Sequence, residues 1–253
     1  MLKNITKQKI FFLILGIIFF LYGSFVTLDW TLFFFDIAPV VQPEIPYTRI
    51  AKVSSAFLCA TLAWITGIDG FNKSDTKKIR IVFISIAVGE IIFLLDIYIM
   101  GVIIFALTQI LLIWRNGQGF RNYNQTETLK DRLRWGILLA AIISLITILI
   151  FIFIIYPNLV GSDLFVVIII YAILVSISLW TGWMTFRIGF FSKKNALMIS
   201  IGMICFYIAD FLVGLNISLD PGTLRIITHY FTWVFYEPAL LLLALSGYRW
   251  KEK

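Results

Sequence analysis

Three acidic residues lie inside long apolar stretches of the sequence, where ionisable side chains are rare. They are Glu90, Asp210 and Glu237. A charge at the centre of a lipid bilayer costs about 2.5–3.5 kcal/mol on insertion scales, so such a side chain usually faces a bundle interior or a cavity and marks a functional site. Counting about 1.5 Å of helical rise per residue from the flanking loops predicts similar depths for the three carboxyls. We therefore expect a proton or cation pathway, a catalytic cluster, or separate hydrogen-bonded acids that hold helices together.

Pro238 directly follows the third of these acids. Proline lacks a backbone N–H and its ring pushes against the carbonyl four residues earlier, here that of Val234. The sequence therefore predicts a kink in the last apolar stretch and a carbonyl that is free for another partner. Whether Tyr236, Glu237 and the kink form a functional polar notch or only a packing feature stays open at this stage.

Lys52 begins another apolar stretch. A lysine at such a position either extends its ammonium group to the membrane interface or recognises a phosphate group. His229 is the only histidine, and Cys59 and Cys205 both lie inside apolar stretches, so a zinc site of several imidazoles or thiolates is excluded. We expect neither a metal ion nor a cofactor.

The composition identifies the surroundings of these residues. Of the 253 residues 60% are apolar, 17% are aromatic and only 14% are charged, with a mean hydropathy of +0.96. A soluble domain has about a quarter of its residues charged. The chain is therefore predicted to be an integral membrane protein with no nucleic-acid partner.

Eight stretches are long and apolar enough to cross a bilayer, which takes roughly 20 residues of helix. We predict a single all-α membrane domain over residues 1–253, a bundle of eight transmembrane helices. The spans cover approximately residues 9–28, 49–68, 80–95, 97–114, 134–156, 163–186, 196–215 and 225–248. The third and fourth are separated only around Asp96, which predicts a helical hairpin. The first span is longer than the apolar core of a signal peptide, so we expect it to be retained.

The positive charge indicates the orientation of this bundle. Lysine and arginine accumulate on cytoplasmic loops. With both termini in the cytoplasm, 18 of the 21 basic residues lie on the cytoplasmic side, and Arg49, Lys52 and Arg225 remain outside. The net charge of +7 is thus a topology signal, and we expect a multi-pass protein of the cell membrane.

Several spans carry short polar motifs in a recognisable order. The segments are ISIAVGEIIFLLD, GVIIFALTQ, ALMISIGMICFYIADFLVGLN and FYEPALLLLALS. The positions that carry the resemblance are Lys52, Gly89, Glu90, Gly101, Gln109, Asp210, Tyr236 and Ala239. Over about residues 49–247 the chain resembles the YhhN-like family, the membrane lysoplasmalogenases, which are eight-helix proteins. Five signature positions differ: Val53 stands for proline, Glu90 for aspartate, Gln109 for histidine, Ala209 for serine and Leu240 for glutamine.

The resemblance implies hydrolysis of the vinyl ether bond of a lysoplasmalogen to a fatty aldehyde and a glycerophospho head group. Vinyl ether hydrolysis requires one carboxylic acid to protonate the alkene and one carboxylate to stabilise the cation and activate water. We assign these roles to Glu90 and Asp210, interchangeably at this stage. Lys52 is predicted to hold the phosphate. Gln109, Tyr236 and Glu237 are predicted to orient water or the ether oxygen.

Two other functions compete with this hypothesis. A proton- or cation-coupled transporter would use the three acids as a binding site and the Pro238 kink for gating. A lipid-binding relative without catalysis is compatible with the five departures from the family pattern. The sequence indicates a lysophospholipid or another membrane lipid as the partner, and it does not indicate an oligomeric state.

Overall fold

The computed structural model describes residues 2–35, 45–66, 70–121, 128–162 and 164–250 of the chain, and these residues are helical apart from turns and one isolated bridge. The helices pack as one bundle in which α7 and α8 form the most extensive pair. The long helices are α1 (Leu2–Phe34), α2 (Pro46–Thr66), α3 (Lys73–Leu94), α4 (Tyr98–Asn116), α5 (Thr128–Ile150), α6 (Leu164–Ile188), α7 (Lys193–Ser218) and α8 (Thr223–Leu245).

Six of these helices are long and apolar enough to cross a membrane, namely α1, α4, α5, α6, α7 and α8. The chain is thus a multi-pass helical membrane protein. Helices α2 and α3 are more polar, yet they pack against α1, α4 and α8. A helix that is shielded from lipid by its neighbours does not need a fully apolar surface. The count of eight spans and the cytoplasmic position of both termini stay predictions.

The hairpin predicted around Asp96 is present. Helix α3 ends at Leu94 and α4 begins at Tyr98. Asp96 has φ 59°, a left-handed conformation that Asp and Asn tolerate better than most residues. The turn is fixed from α2, because Arg49 donates to the Asp96 carboxylate at 3.0 Å and to the Leu94 carbonyl at 2.9 Å. This turn marks one end of the bundle, called the Asp96 end below.

The opposite end is closed by a buried polar network around Arg115. The Arg115 guanidinium donates to both oxygens of the Asp75 carboxylate, at 2.8 and 3.0 Å, and to the Ser246 hydroxyl at 2.9 Å. The side chains of Arg115 and Asp75 are 0% exposed. The Asn195 amide donates to the backbone carbonyls of Ser246 and Tyr248. The sequence places Arg115 in a cytoplasmic loop, but the structure makes it an internal tie between α3, α4 and the chain after α8.

Helix α5 is the least buried of the long helices. In its most apolar stretch only 6% of the residues are buried, compared with 39% in the corresponding stretches of α6 and α7. The helix continues into a π-helical turn, Phe151–Ile155, where the Tyr156 N–H donates to the Phe151 carbonyl. Pro157 follows at once, and a proline disrupts the regular hydrogen bonding of the preceding turn. This irregular turn forms part of a cavity wall.

Candidate functional site

A cavity of about 550 Å³ is lined by residues of helices α2 to α8. Its walls are mainly apolar and aromatic, with Phe93, Phe105, Phe151 and Trp233 among them. The lining extends to Asp96, which is 60% exposed, so the cavity reaches the Asp96 end of the bundle. Glu90 and Asp210 lie in the same lining. The cavity thus combines the dimensions of a small-molecule pocket with two acidic groups.

Glu90 lies on α3 and is 6% exposed. The Tyr236 hydroxyl donates to Glu90 Oε1 at 2.6 Å. Gly89, the neighbouring residue, permits the close approach of α4, because a Cβ there would lie 2.6 Å from the Phe105 ring. Phe105 also lines the cavity, so this glycine sets the position of an aromatic wall next to the acid.

Asp210 lies on α7 and is less buried than Glu90. The Gln109 amide nitrogen donates to Asp210 Oδ2 at 2.9 Å, and Tyr171 lies close to the same carboxyl. Gln109 itself is 0% exposed and supports Asp210 from α4, outside the cavity lining. The structure therefore brings Gln109 and Asp210 together, and Tyr171 is a contact that the sequence does not indicate.

Tyr236 lies in the same lining as the two acidic groups. It bonds Glu90 and shares the cavity with Asp210 and Tyr171. Its ring packs against Phe206 and Trp233, at centroid distances of 5.6 and 5.4 Å, which fixes its orientation. Four of the six predicted site residues, Glu90, Asp210, Gln109 and Tyr236, thus form one cluster.

Glu237 does not belong to this cluster. Adjacent residues of an α-helix differ by about 100° in direction, so Tyr236 and Glu237 face different neighbours. Glu237 lies between α8 and α2, where the Cys59 thiol donates to its Oε1 at 3.3 Å, and it does not line the cavity. The three acids share a part of the bundle, but only two of them reach the same space.

Pro238 lies inside α8, which runs without a break from Thr223 to Leu245. Of the two predicted effects of the proline, the freed carbonyl is present and the kink stays a prediction. The carbonyl of Val234 accepts a hydrogen bond from the Tyr22 hydroxyl at 3.1 Å. Tyr22 belongs to α1, so the carbonyl released by the proline is used to attach α1 to α8. The carbonyl that the proline frees therefore has a structural partner and needs no role in catalysis.

Lys52 is fully buried, and the expectation that it extends to the interface is wrong. Its ammonium group lies 2.8 Å from Asp29 Oδ2, with side-chain exposures of 0% and 3%. It also lies 3.4 Å from His229 Nε2 and 5.3 Å from the centre of the Trp233 ring. A buried lysine is stabilised by an opposite charge and by aromatic faces, both of which are present here.

Asp29 lies one residue beyond the predicted end of the first span, so its position in the sequence does not mark it as an intramembrane acid. Lys52 does not line the cavity, whereas His229 does. The predicted phosphate contact of Lys52 therefore has no direct geometric basis.

Polar side chains of α8 that line the cavity follow the helical period. They are Arg225, His229, Thr232 and Tyr236, with intervals of three or four residues. Residues three and four apart lie on one helix face. This spacing was the sequence signal that could have identified Arg225 and His229 as site residues. A second polar group in the wall is Thr147, whose hydroxyl hydrogen-bonds that of Tyr207 at 2.6 Å.

Over the described ranges, no three His, Cys, Asp or Glu side chains lie close enough to hold a metal ion. The donor set of the cavity is a pair of carboxyls with amide and phenol neighbours. This set suits proton transfer and the binding of a hydroxyl, ether or water oxygen.

Comparison with known proteins gives one match. No curated protein and no solved structure matches the chain. The model of the YhhN family matches residues 47–247, which include α2 to α8 and every predicted site residue. Helix α1, with Tyr22 and Asp29, precedes the matched range. Because the match covers most of the sequence, the chain belongs to the YhhN family.

Proposed function

We propose that this protein hydrolyses the vinyl ether bond of lysoplasmalogens and releases a fatty aldehyde and a glycerophospho head group. The observation that carries the proposal is the placement of Glu90 and Asp210 in one largely apolar cavity that reaches the Asp96 end of the bundle. Such a cavity accommodates an aliphatic chain beside two acid–base groups. Membership of the YhhN family is consistent with this activity.

The first step is protonation of the alkene. Glu90, as a carboxylic acid, transfers its proton to the alkene carbon that is not bonded to oxygen. The C=C electron pair forms the new C–H bond, and the other alkene carbon becomes an oxocarbenium ion. The Tyr236 hydroxyl suits this role, because a phenol can donate to or accept from Glu90 and so bonds it before and after proton transfer.

The second step is attack by water. Asp210, as a carboxylate, stabilises the cation and accepts a proton from the attacking water, which yields a hemiacetal. The amide nitrogen of Gln109 can only donate, so its bond to Asp210 fits the ionised form. In the collapse of the hemiacetal, Asp210 donates its proton to the glycerol oxygen as the bond between that oxygen and the hemiacetal carbon breaks. The hemiacetal hydroxyl gives its proton to Glu90 and becomes the aldehyde carbonyl, so both carboxyls regain their starting forms. These contacts support Glu90 as the acid and Asp210 as the base.

Lys52 and Glu237 have indirect roles in this proposal. Lys52 contacts His229 from behind the cavity wall and positions that ring. Glu237 holds α2 against α8 through Cys59 and thereby fixes the turn that carries Tyr236.

The architecture favours hydrolysis over transport. A transporter needs a polar route to both ends of the bundle. The cavity reaches the Asp96 end, whereas the Arg115 end is filled by the buried Arg115, Asp75 and Asn195 network. Nothing in that network is arranged as a path for a substrate.

The test is aldehyde release by the purified protein from a 1-O-alkenyl lysophospholipid. The matched 1-O-alkyl lipid, which lacks the double bond, should release none. In D₂O the aldehyde should carry one deuterium on the carbon next to the carbonyl, because the acid protonates that carbon. Glu90→Gln should abolish release while the protein stays folded.

Full activity in Glu90→Gln would refute the assignment of the acid. A folded wild-type protein that releases no aldehyde but binds the lipid would overturn the hydrolase in favour of a non-catalytic relative. Proton or cation flux into protein-containing vesicles, without aldehyde release, would favour the transporter.

A further inference from the structure

We infer that Arg225 forms an anion subsite that binds the phosphate of a lipid head group at the Asp96 end of the cavity. The inference deepens the proposed function and rests on it, because it names what the same cavity recognises. It assigns phosphate recognition to Arg225 in place of Lys52. In the sequence, Arg225 lies where a loop meets the last predicted span.

The three basic residues near this end differ in how they are engaged. Lys52 is fully buried against Asp29 and lies outside the cavity lining. Arg49 lines the cavity but is paired with the Asp96 carboxylate and the Leu94 carbonyl. Arg225 lines the cavity as well, and its buried Nε has no hydrogen-bond partner among the residues that the structure describes.

A buried N–H group without a partner destabilises the folded protein, and more so when it is charged. This destabilisation disappears when a ligand supplies the acceptor. A phosphate fits best, because guanidinium groups bind phosphate oxygens with two parallel hydrogen bonds. The backbone of Arg225 is already fixed, since the Asn216 amide donates to its carbonyl at 2.8 Å.

The side chains next to Arg225 on the cavity wall are also relevant to anion binding. His229 lies one helical turn further on the same face of α8, and it lines the cavity next to Lys52. Arg49 and Asp96 pair with each other in this part of the lining. Arg225 therefore supplies the positive charge at this end that the described residues do not balance, whereas Glu90 and Asp210 are acidic. An occupant with a phosphate at one end and a proton-accepting alkene further along matches this polarity.

The spacing between the two groups matches a glycerophospholipid. Asn216 lies six residues after Asp210 on α7, an axial distance of about 9 Å. Because Asn216 holds the Arg225 carbonyl, Arg225 lies at the same level. In a 1-O-alkenyl glycerophospholipid, seven bonds join the phosphorus to the protonated carbon, about 8 Å at about 1.2 Å per bond of an extended chain. The glycerol backbone is therefore about as long as the axial distance between the Arg225 backbone and Asp210.

The experiment measures binding, so that it does not depend on hydrolysis. The probes are a 1-O-alkyl lysophosphatidate, a 1-O-alkyl lysophosphatidylcholine and the matching 1-O-alkylglycerol, none of which has a vinyl ether. Calorimetric titration of the full-length protein in detergent gives the affinity for each. The first two probes separate a phosphate monoester from a diester, and the third lacks phosphate.

Arg225→Gln should weaken binding of both phosphate-containing probes about 10- to 100-fold, the usual effect of a hydrogen bond to a charged group, and leave 1-O-alkylglycerol binding unchanged. Arg225→Lys should retain part of the preference for phosphate. Arg80→Gln, at an arginine that stacks on Trp64 outside the cavity lining, should change nothing and serves as the matched control. If Arg225→Gln does not fold, the intermediate preference of Arg225→Lys carries the test.

An unchanged phosphate preference in Arg225→Gln would overturn the subsite. Equal losses for all three probes would also overturn it, because they would indicate a structural role. If the wild-type protein hydrolyses no vinyl ether yet binds the phosphate probes through Arg225, the proposed function fails and the anion subsite stands. On the alkenyl substrate, the variant should raise KM with little change in kcat.

Discussion

The two ends of the bundle hold arginine–aspartate pairs with opposite surroundings. At one end, Arg115 and Asp75 are 0% exposed and bound by two hydrogen bonds. At the other, Arg49 and Asp96 are 35% and 60% exposed and joined by a single contact at 3.0 Å. The same residue types therefore close one end completely and leave the other accessible.

The two ends differ in whether a buried guanidinium nitrogen lacks a hydrogen-bond partner. All three nitrogens of Arg115 have hydrogen-bond partners, so this guanidinium is committed to the fold, although the amide of the neighbouring Asn116 has no partner in the described part of the chain. Near the Asp96 end, Arg225 Nε has no such partner within the described ranges. Fully satisfied buried networks make a structure rigid, whereas incomplete ones are suited to binding.

The largest effect should come from Asp210→Asn, because Asp210 lines the cavity that reaches the accessible Asp96 end. Loss of the general base should lower kcat for aldehyde release by about 10²- to 10⁴-fold. The denaturant midpoint should stay unchanged, because the Arg115 end is untouched. Asp220→Asn, at an exposed position between α7 and α8, is the matched control and should retain full activity. Retained activity in Asp210→Asn would remove this carboxyl from the mechanism.

Arg115→Met should have the opposite result: it should lower the free energy of unfolding and leave the KM of the folded protein unchanged. Removing one partner of a buried ion pair costs about 3–5 kcal/mol, because the other charge remains unpaired. Chemical unfolding in detergent should show this loss, while the folded fraction keeps its KM. The exposed Lys77→Met is the control, and the double variant Arg115→Met with Asp75→Leu should regain much of the stability. A loss below about 1 kcal/mol would show that the closed end is not held by this pair.

Tyr22→Phe should have a smaller effect, since it removes one hydrogen bond to the Val234 carbonyl. We expect a loss of about 1 kcal/mol in the free energy of unfolding. Pro238→Ala restores a backbone N–H that can bond this carbonyl within α8. In that background Tyr22→Phe should cost almost nothing, and a double-mutant cycle measures the coupling. Additive effects of the two changes would contradict the link between the proline and α1.

Asp96→Asn should have the smallest effect on stability. An exposed ion pair contributes about 0–1 kcal/mol and is screened by salt. The unfolding free energy should therefore change by less than about 1 kcal/mol, and raising the ionic strength should reduce the difference further. A loss as large as that of Arg115→Met would mean that the two ends are held alike.

The sequence predicts those features that depend on local pattern. The hairpin at Asp96, the carbonyl freed by Pro238 and the placement of Glu90 and Asp210 all follow from apolar length, isolated charges and the missing N–H of proline. The pairings of Lys52 with Asp29 and of Arg115 with Asp75 do not. Each joins two consecutive helices through side chains more than 20 residues apart, and a charge near a helix end looks the same in sequence whether it faces water or a partner. The aromatic walls are likewise indistinguishable from lipid-facing residues, because both are apolar.

The attachment of α1 has a consequence for the order of assembly during synthesis. Helix α1 is made before α8, yet Tyr22 bonds the Val234 carbonyl of α8, and Phe25 packs on Trp233 with ring centres 6.1 Å apart. Asp29 finds its ion-pair partner as soon as α2 follows. Biogenesis is thus predicted to proceed in two stages, an early α1–α2 pair and a late closure when α8 inserts. Until that closure, the wall that carries Arg225, His229 and Tyr236 does not exist.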